Sequence, residues 1–371
     1  MNDGEMLEAV SRQRDAALAA HRFVHEHPEL GHEEHACAAY LASALERAGL
    51  DVDRGVAGME TAFRARLRGS RPGRSVGLVT LYDAVPVFRP DGSIEPVHSC
   101  GHDAIAGGVT AAAFALADVR GRLAGEVVVL GCPADEIPAP GTVARGSGKA
   151  LLAEAGLWDT IDAALYAHPE FENTVFKRSR WMRRDRAMVT GLRSLTGAAQ
   201  RPLEAVRAAI DSVEALPTAD AIVETIDLDG DVEDGGGLVV RISFLLRSDE
   251  ASGLEELARA LRGSLPDAAW ETGPVVSGIK PDTAVAAAVK DAVVATGGDF
   301  VDDPEPLPFA TDFGNVTQRV PGALIGIGRA GGWAFHTDEG ARQFAEEGAE
   351  CALAIARVLA LTVARLLGSA E

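Results

Sequence analysis

"GEVVVLGCPADE", residues 125–136, is an aliphatic run that breaks off in two adjacent carboxylates, Asp135 and Glu136. A short, β-branched run bounded by glycine and proline is predicted to be a buried strand. Three other runs share the pattern: "VGLVTLYD" ends at Asp83, "DAALYAHPE" carries His168 near its end, and "GALIGIG" leads into the turn "RAGGWAFH", which closes on His336. Helical stretches such as "AIAGGVTAAAFALADV" lie between them. In residues 33–49, Cys37, Tyr40, Leu41, Ala44 and Leu45 share one helical face, with Gly49 as a C-terminal cap. The alternation predicts an α/β fold with helices on both faces of the sheet. Ligands of open α/β sheets bind beyond the carboxyl ends of the strands, so these strand-end side chains should gather at one edge.

Outward from the strands, "HSCGHDAIAGG", residues 98–108, sets Cys100 and His102 just ahead of a helix. A Cys-x-His pair can put two metal donors on one loop, and by itself it is more often a structural pair than a metal site. Thiolate, imidazole and carboxylate together suit zinc or manganese-like divalent ions. Five of the nine histidines crowd into residues 21–35, as surface or helix-packing residues; of the other four, three are His102, His168 and His336. Cys37 and Cys132 read as buried packing residues.

With 371 residues, the chain has room for two domains, or for one with an insertion. A net charge of −20 argues against nucleic acid and anionic lipid as partners. The N-terminus has no basic leader, and the apolar "ALAIARVLALTVARLL" is broken by Arg357 and Arg365, so it reads as a docked helix. Four scattered cysteines do not make a disulfide framework; a cytoplasmic protein is the expectation.

Residues 188–277 follow another pattern: strand, helix, strand, strand, helix, strand, the order of a ferredoxin-like unit. They are predicted to be inserted into a domain formed by residues 1–187 and 278–371. The run Lys177–Arg186, six basic residues in ten, reads either as a solvated connector or as an attractor of anionic substrate. "GTVARGSGK" lacks the spacing of a phosphate loop.

"YDAVP", "SCGHD", "PADE", "AEAGLWDTIDAALYAHP" and "TDFGNVTQRVPGALIGIG", with the opening "HRFVHEHPELGHEEHACAAYL", resemble in order the motifs of the dinuclear metallo-amidohydrolases and exopeptidases that include aminoacylases, carboxypeptidase G and auxin-conjugate hydrolases. The aminobenzoyl-glutamate hydrolase branch is the nearest in pattern. The resemblance implies a zinc-exopeptidase-like sheet with an inserted ferredoxin-like lid that mediates homodimerisation. It implies two divalent ions, zinc or manganese, held by Cys100, His102, Glu136, His168 and His336, with Cys100 bridging and Asp83 orienting His102. It further implies hydrolysis of a small aminoacyl or N-acyl amino acid amide, with a carboxylate on the substrate, through a hydroxide between the ions, and Asp135 as general base.

Two positions depart from the family. Asp135 stands where the family has glutamate, and the lid segment "GLRSLTGAAQRP" lacks the family's histidine, leaving Arg193 as a substitute charge. Arg247 is the counterpart of a lid arginine that binds a substrate carboxylate, or else a surface ion-pair residue. A specialised enzyme acting on an unusual amide, and a non-catalytic scaffold, therefore stand beside plain hydrolysis.

Overall fold

The computed structural model describes residues 2–192, 200–216, 220–230 and 237–368. They divide into two compact units, one of Met1–Arg178, Ile279–Pro306 and Asp312–Glu371, the other of Ser179–Gly278 and Leu307–Thr311.

The first unit is built on a seven-stranded sheet. Its strands are β1 (Asp51–Arg54), β2 (Phe63–Arg68), β3 (Arg71–Thr80), β6 (Ala124–Gly131), β7 (Ala163–Glu170), β8 (Thr174–Val175) and β13 (Gly322–Gly328), in the order β1-β2-β6-β3-β7-β13-β8. A separate hairpin pairs β4 (Val85–Phe88) with β5 (Ile94–Val97). Strands β6, β3, β7 and β13 run parallel, so their carboxyl ends share one edge. Apart from the exposed first four residues of β3, they are buried almost throughout, as parallel strands covered on both faces must be.

Helices α1 (Asp3–Arg12), α2 (Arg14–Glu26), α3 (His35–Arg47), α4 (His102–Asp118), α5 (Pro140–Arg145) and α6 (Gly148–Glu154) belong to this unit, as do α9 (Thr283–Ala295), α10 (Phe313–Thr317) and α11 (Asp338–Leu367). On α3 the expected face is buried at Cys37, Leu41, Ala44 and Leu45, Tyr40 stacks on Phe23, and Gly49 follows at φ +88°. α4 is almost entirely buried, packed between α2, α11 and the sheet. Helix α11 docks its apolar side on α4 and α9, and no described helix is long and apolar enough to cross a membrane.

The second unit has β9 (Trp181–Leu192), α7 (Gln200–Glu214), β10 (Ala221–Gly230), β11 (Gly237–Ser248), α8 (Ala251–Ser264) and β12 (Ala269–Val276). The sheet order β10-β11-β9-β12, antiparallel throughout, is that of a ferredoxin-like fold. Alternate residues of β11, Val240, Ile242, Phe244 and Leu246, point inward to meet Leu254, Ala258 and Leu261 of α8.

The basic run is a connector only over Lys177–Arg180, where the chain passes from the first unit to the second. From Trp181 onward it is β9, which begins seven residues before the expected 188. Five of its six basic side chains pair with carboxylates: Lys177 with Asp303, Arg180 with Asp220, Arg183 with Asp185, Arg184 with Glu224 and Arg186 with Glu271. Arg183 and Asp185 are buried and bidentate, at 2.8 and 3.1 Å. Charge neutralised within the fold lets an arginine-rich segment form a strand.

Candidate metal centre

Cys100 and His102 flank Gly101, which caps α4 in a left-handed conformation at φ +86°. A Cβ there would lie 2.6 Å from Phe344 Cε1 and 2.7 Å from Pro169 Cγ, so only glycine makes this turn without displacing its neighbours. His102 is the first residue of α4. Its Nδ1 lies 2.8 Å from Asp83 Oδ1 and 2.9 Å from the Asp83 carbonyl oxygen. Both neighbours are acceptors, so Nδ1 carries the proton and Nε2 keeps its lone pair. The other oxygen of Asp83, Oδ2, accepts the Glu136 backbone N–H at 2.8 Å. One buried carboxylate thus positions donors on two segments.

Glu136 follows β6 through a turn in which Ala134 adopts φ +57°. The Ala134 N–H donates to Glu34 Oε1 at 2.7 Å, and Glu34 is fully buried. Burial first, and then the charge of Asp83, raise the Glu34 carboxyl to about 8. His168, near the end of β7, holds Nδ1 on the Pro169 carbonyl at 2.7 Å and beside Glu170, leaving Nε2 3.7 Å from Cys100 Sγ. His336 sits at φ +59°, its backbone N–H donating to Ser99 O at 3.0 Å. Its Nε2 lies 3.3 Å from Cys100 Sγ and 3.6 Å from Glu136 Oε1.

The five side chains therefore form two triads that share one sulfur, Cys100–His102–His168 and Cys100–Glu136–His336, each with donor atoms within 4.8 Å of one another. His102 Nε2 and Glu136 Oε1 are buried without a hydrogen-bond partner, the condition of donors kept for an electrophile. Burial alone would raise the Cys100 thiol, but contacts with His102, His168 and His336 outweigh it and hold the thiol well below its ordinary range. Thiolate, three imidazoles and a carboxylate, arranged around a common sulfur, fit a pair of divalent cations.

Asp135 adjoins this cluster, with Oδ2 3.4 Å from His102 Nε2. Its Oδ1 accepts from the ammonium of Lys149, a side chain with no solvent exposure, which also forms an ion pair with Asp312 Oδ1 at 2.7 Å. Burial opposes the charge of both Asp135 and Lys149, but their mutual attraction wins, lowering the carboxyl and raising the ammonium. Lys149, Asp312 and Glu34 all escape the sequence reading. Lys149 lies in the glycine-rich stretch set aside as a failed phosphate loop; its one distinguishing sign is that the chain has only four lysines.

The remaining expected residues fall elsewhere. Arg247 is on β11 in the second unit, and Arg193 lies outside the described residues. His21 and His25 are helix-packing residues: both face the buried carboxylate of Asp103 in the first turn of α4, His25 at 2.7 Å. Cys37 and Cys132 are buried, and burial raises both thiols.

A family profile, Peptidase family M20/M25/M40, matches residues 82–361. The chain is 24% identical over 359 residues to the N-acetyl-L-cysteine deacetylase of Bacillus subtilis, covering 86% of this chain and 82% of that protein. It is 34% identical over 170 residues to a polypeptide of the p-aminobenzoyl-glutamate hydrolase of Escherichia coli, covering 43% and 33%. Matches to that protein and to two carboxypeptidases of Saccharolobus solfataricus span between 33% and 40% of the relatives' own length. Among solved structures, a dinuclear metal-binding peptidase of the M20 family from Bacillus subtilis superposes with a TM-score of 0.70 at 19% identity, over 96% of this chain and 99% of that one. At that identity the likeness establishes the fold.

Proposed function

As the chain belongs to Peptidase family M20/M25/M40, we propose that it is a metal-dependent amidohydrolase cleaving the amide bond of a small aminoacyl or N-acyl amino acid compound. The observation that carries this reading is the meeting of two donor triads at one sulfur. Cys100, His102 and His168 would hold one divalent cation, and Cys100, Glu136 and His336 the other; the mixed donor set suits zinc or manganese. Bound there, the ions would supply Lewis acidity to the substrate carbonyl and to a nearby water.

The chain's own residues supply the rest. Asp83 fixes the His102 tautomer and the Glu136 backbone. Asp135 Oδ2, free of Lys149, takes the water's proton and returns it to the nitrogen of the leaving amine. The substrates named in two relatives, N-acetyl-L-cysteine and p-aminobenzoyl-glutamate, each join an acyl group to an amino acid, which supports this substrate class. Such substrates carry a carboxylate beside the amide, and Arg247 and Arg193 are the proposed cations for it. The protein acts as a cytoplasmic homodimer joined through its second unit, a reading supported by the edge strand β10, which exposes Ile222, Ile226 and Leu228.

The test is amine release from a panel of N-acyl amino acids and dipeptides, with metal content measured in parallel. Wild-type protein should bind two divalent ions and lose turnover on chelation. Cys100→Ala should lose one or both ions and at least about 10²-fold in turnover, since it removes a donor common to both triads. Two ions retained at wild-type turnover in that variant would sink the proposal.

A further inference from the structure

Lys149 is a fully buried ammonium, and a lone charge so placed is costly. Here it is held by two carboxylates, Asp135 and Asp312, and lies 4.9 Å over the ring of Tyr166, two residues before His168 on β7. Buried ion pairs of this kind are weak sources of stability, because apolar residues of equal volume commonly serve as well. The geometry is more informative. The Asp135 carboxylate is divided: Oδ1 is taken up by the ammonium, and Oδ2 is left 3.4 Å from His102 Nε2, on the metal-centre side. Asp312 holds the ammonium from behind. Its Oδ2 accepts the Ala150 backbone N–H at 3.2 Å in the first turn of α6, and the residue itself immediately precedes α10. The loop after β6, the start of α6 and the start of α10 thus converge on one nitrogen.

We propose that Lys149 is the positioning residue for Asp135, setting the rotamer of this short carboxylate so that Oδ2 faces the reacting water. The inference rests on the reading of Asp135 as general base. An aspartate has one carbon fewer than a glutamate with which to reach its target, so its direction must be fixed from outside. Lys149 has no exposed surface from which to reach a substrate, so its route to the reaction runs through Asp135.

Lys149→Met leaves two buried carboxylates facing each other and is at risk of misfolding. The decisive variant is therefore the charge-balanced Lys149→Met/Asp312→Asn, compared with Asp135→Asn. A base displaced by about 1 Å costs about 10²-fold. The double variant should keep two ions per chain and a KM within about threefold of wild type, while kcat falls by about 10²-fold. A double variant with full metal content and kcat within about threefold of wild type would overturn the inference, if Asp135→Asn is itself inactive. One that fails to fold would overturn it too, by making the ammonium a folding element. If Asp135→Asn keeps wild-type turnover, the base assignment falls and the inference falls with it.

Discussion

Asp83→Asn is the smallest change that should disable the centre without removing a donor to metal. Both oxygens of Asp83 accept from N–H groups at 2.8 Å, Oδ1 from His102 Nδ1 and Oδ2 from the Glu136 backbone. Asparagine has one acceptor and one donor in the same places. With its oxygen toward Glu136, its NH₂ faces His102 Nδ1–H and leaves only the residue-83 backbone carbonyl, at 2.9 Å, to hold that proton, which weakens the preference for the tautomer with Nε2 free. With its oxygen toward His102, its NH₂ opposes the Glu136 N–H. Either way one buried donor loses a charged acceptor, a cost of about 1.5–3 kcal/mol. At about 1.4 kcal/mol per tenfold this is on the order of 10- to 100-fold, the usual worth of a residue that orients a metal-binding histidine. Competition with a chromophoric chelator should show weaker metal binding by that factor, with circular dichroism unchanged. Metal affinity and turnover both within about twofold of wild type would refute the argument that Asp83 sets the tautomer.

Glu34 gives a pH prediction. Its carboxyl is raised to about 8 in the fold against an ordinary 4.5, so the folded chain keeps a proton that the unfolded chain loses. This contribution to stability is full below about pH 4.5 and declines as pH rises toward 8. Glu34→Gln keeps an oxygen for the Ala134 N–H and removes the slope, so melting temperatures of the variant should fall less between pH 5 and 8; parallel curves would exclude the assignment. For assembly, light scattering of the wild type should report the proposed dimer, and Ile226→Lys/Leu228→Lys, which puts two charges on the exposed edge strand, should convert it to a monomer at the same concentration. A dimer that survives both charges would move the interface elsewhere.

The strand ends were readable because they contradict their own neighbourhood. Nothing about a buried parallel sheet calls for Asp83, Glu136 or His168, so their presence at the ends of apolar runs points to chemistry. The second unit was readable from the alternation in β11 and the helical spacing in α8. Its start was not, because an arginine-rich segment reads as solvated until the distant Asp220, Glu224 and Glu271 are known to lie beside it. Lys149 was hidden for the same reason. Its burial depends on Asp312, 163 positions further along, and local sequence around a glycine-rich turn says nothing of that meeting. Glu34 likewise serves a turn a hundred residues away.

The shared sulfur has a consequence for durability under oxidising conditions. Cys37, Cys132 and Cys351 are buried thiols raised by burial, poor nucleophiles toward peroxide. Cys100 is partly exposed and held low, and both triads end on it. Conversion of that one thiol to a sulfenic or sulfinic acid would take a donor from both triads in a single event. Inactivation by peroxide should therefore track one oxidised sulfur per chain, and mass spectrometry alongside metal analysis should find both ions leaving together rather than in turn; loss of one ion with the other firmly kept would show that the two sites fail separately.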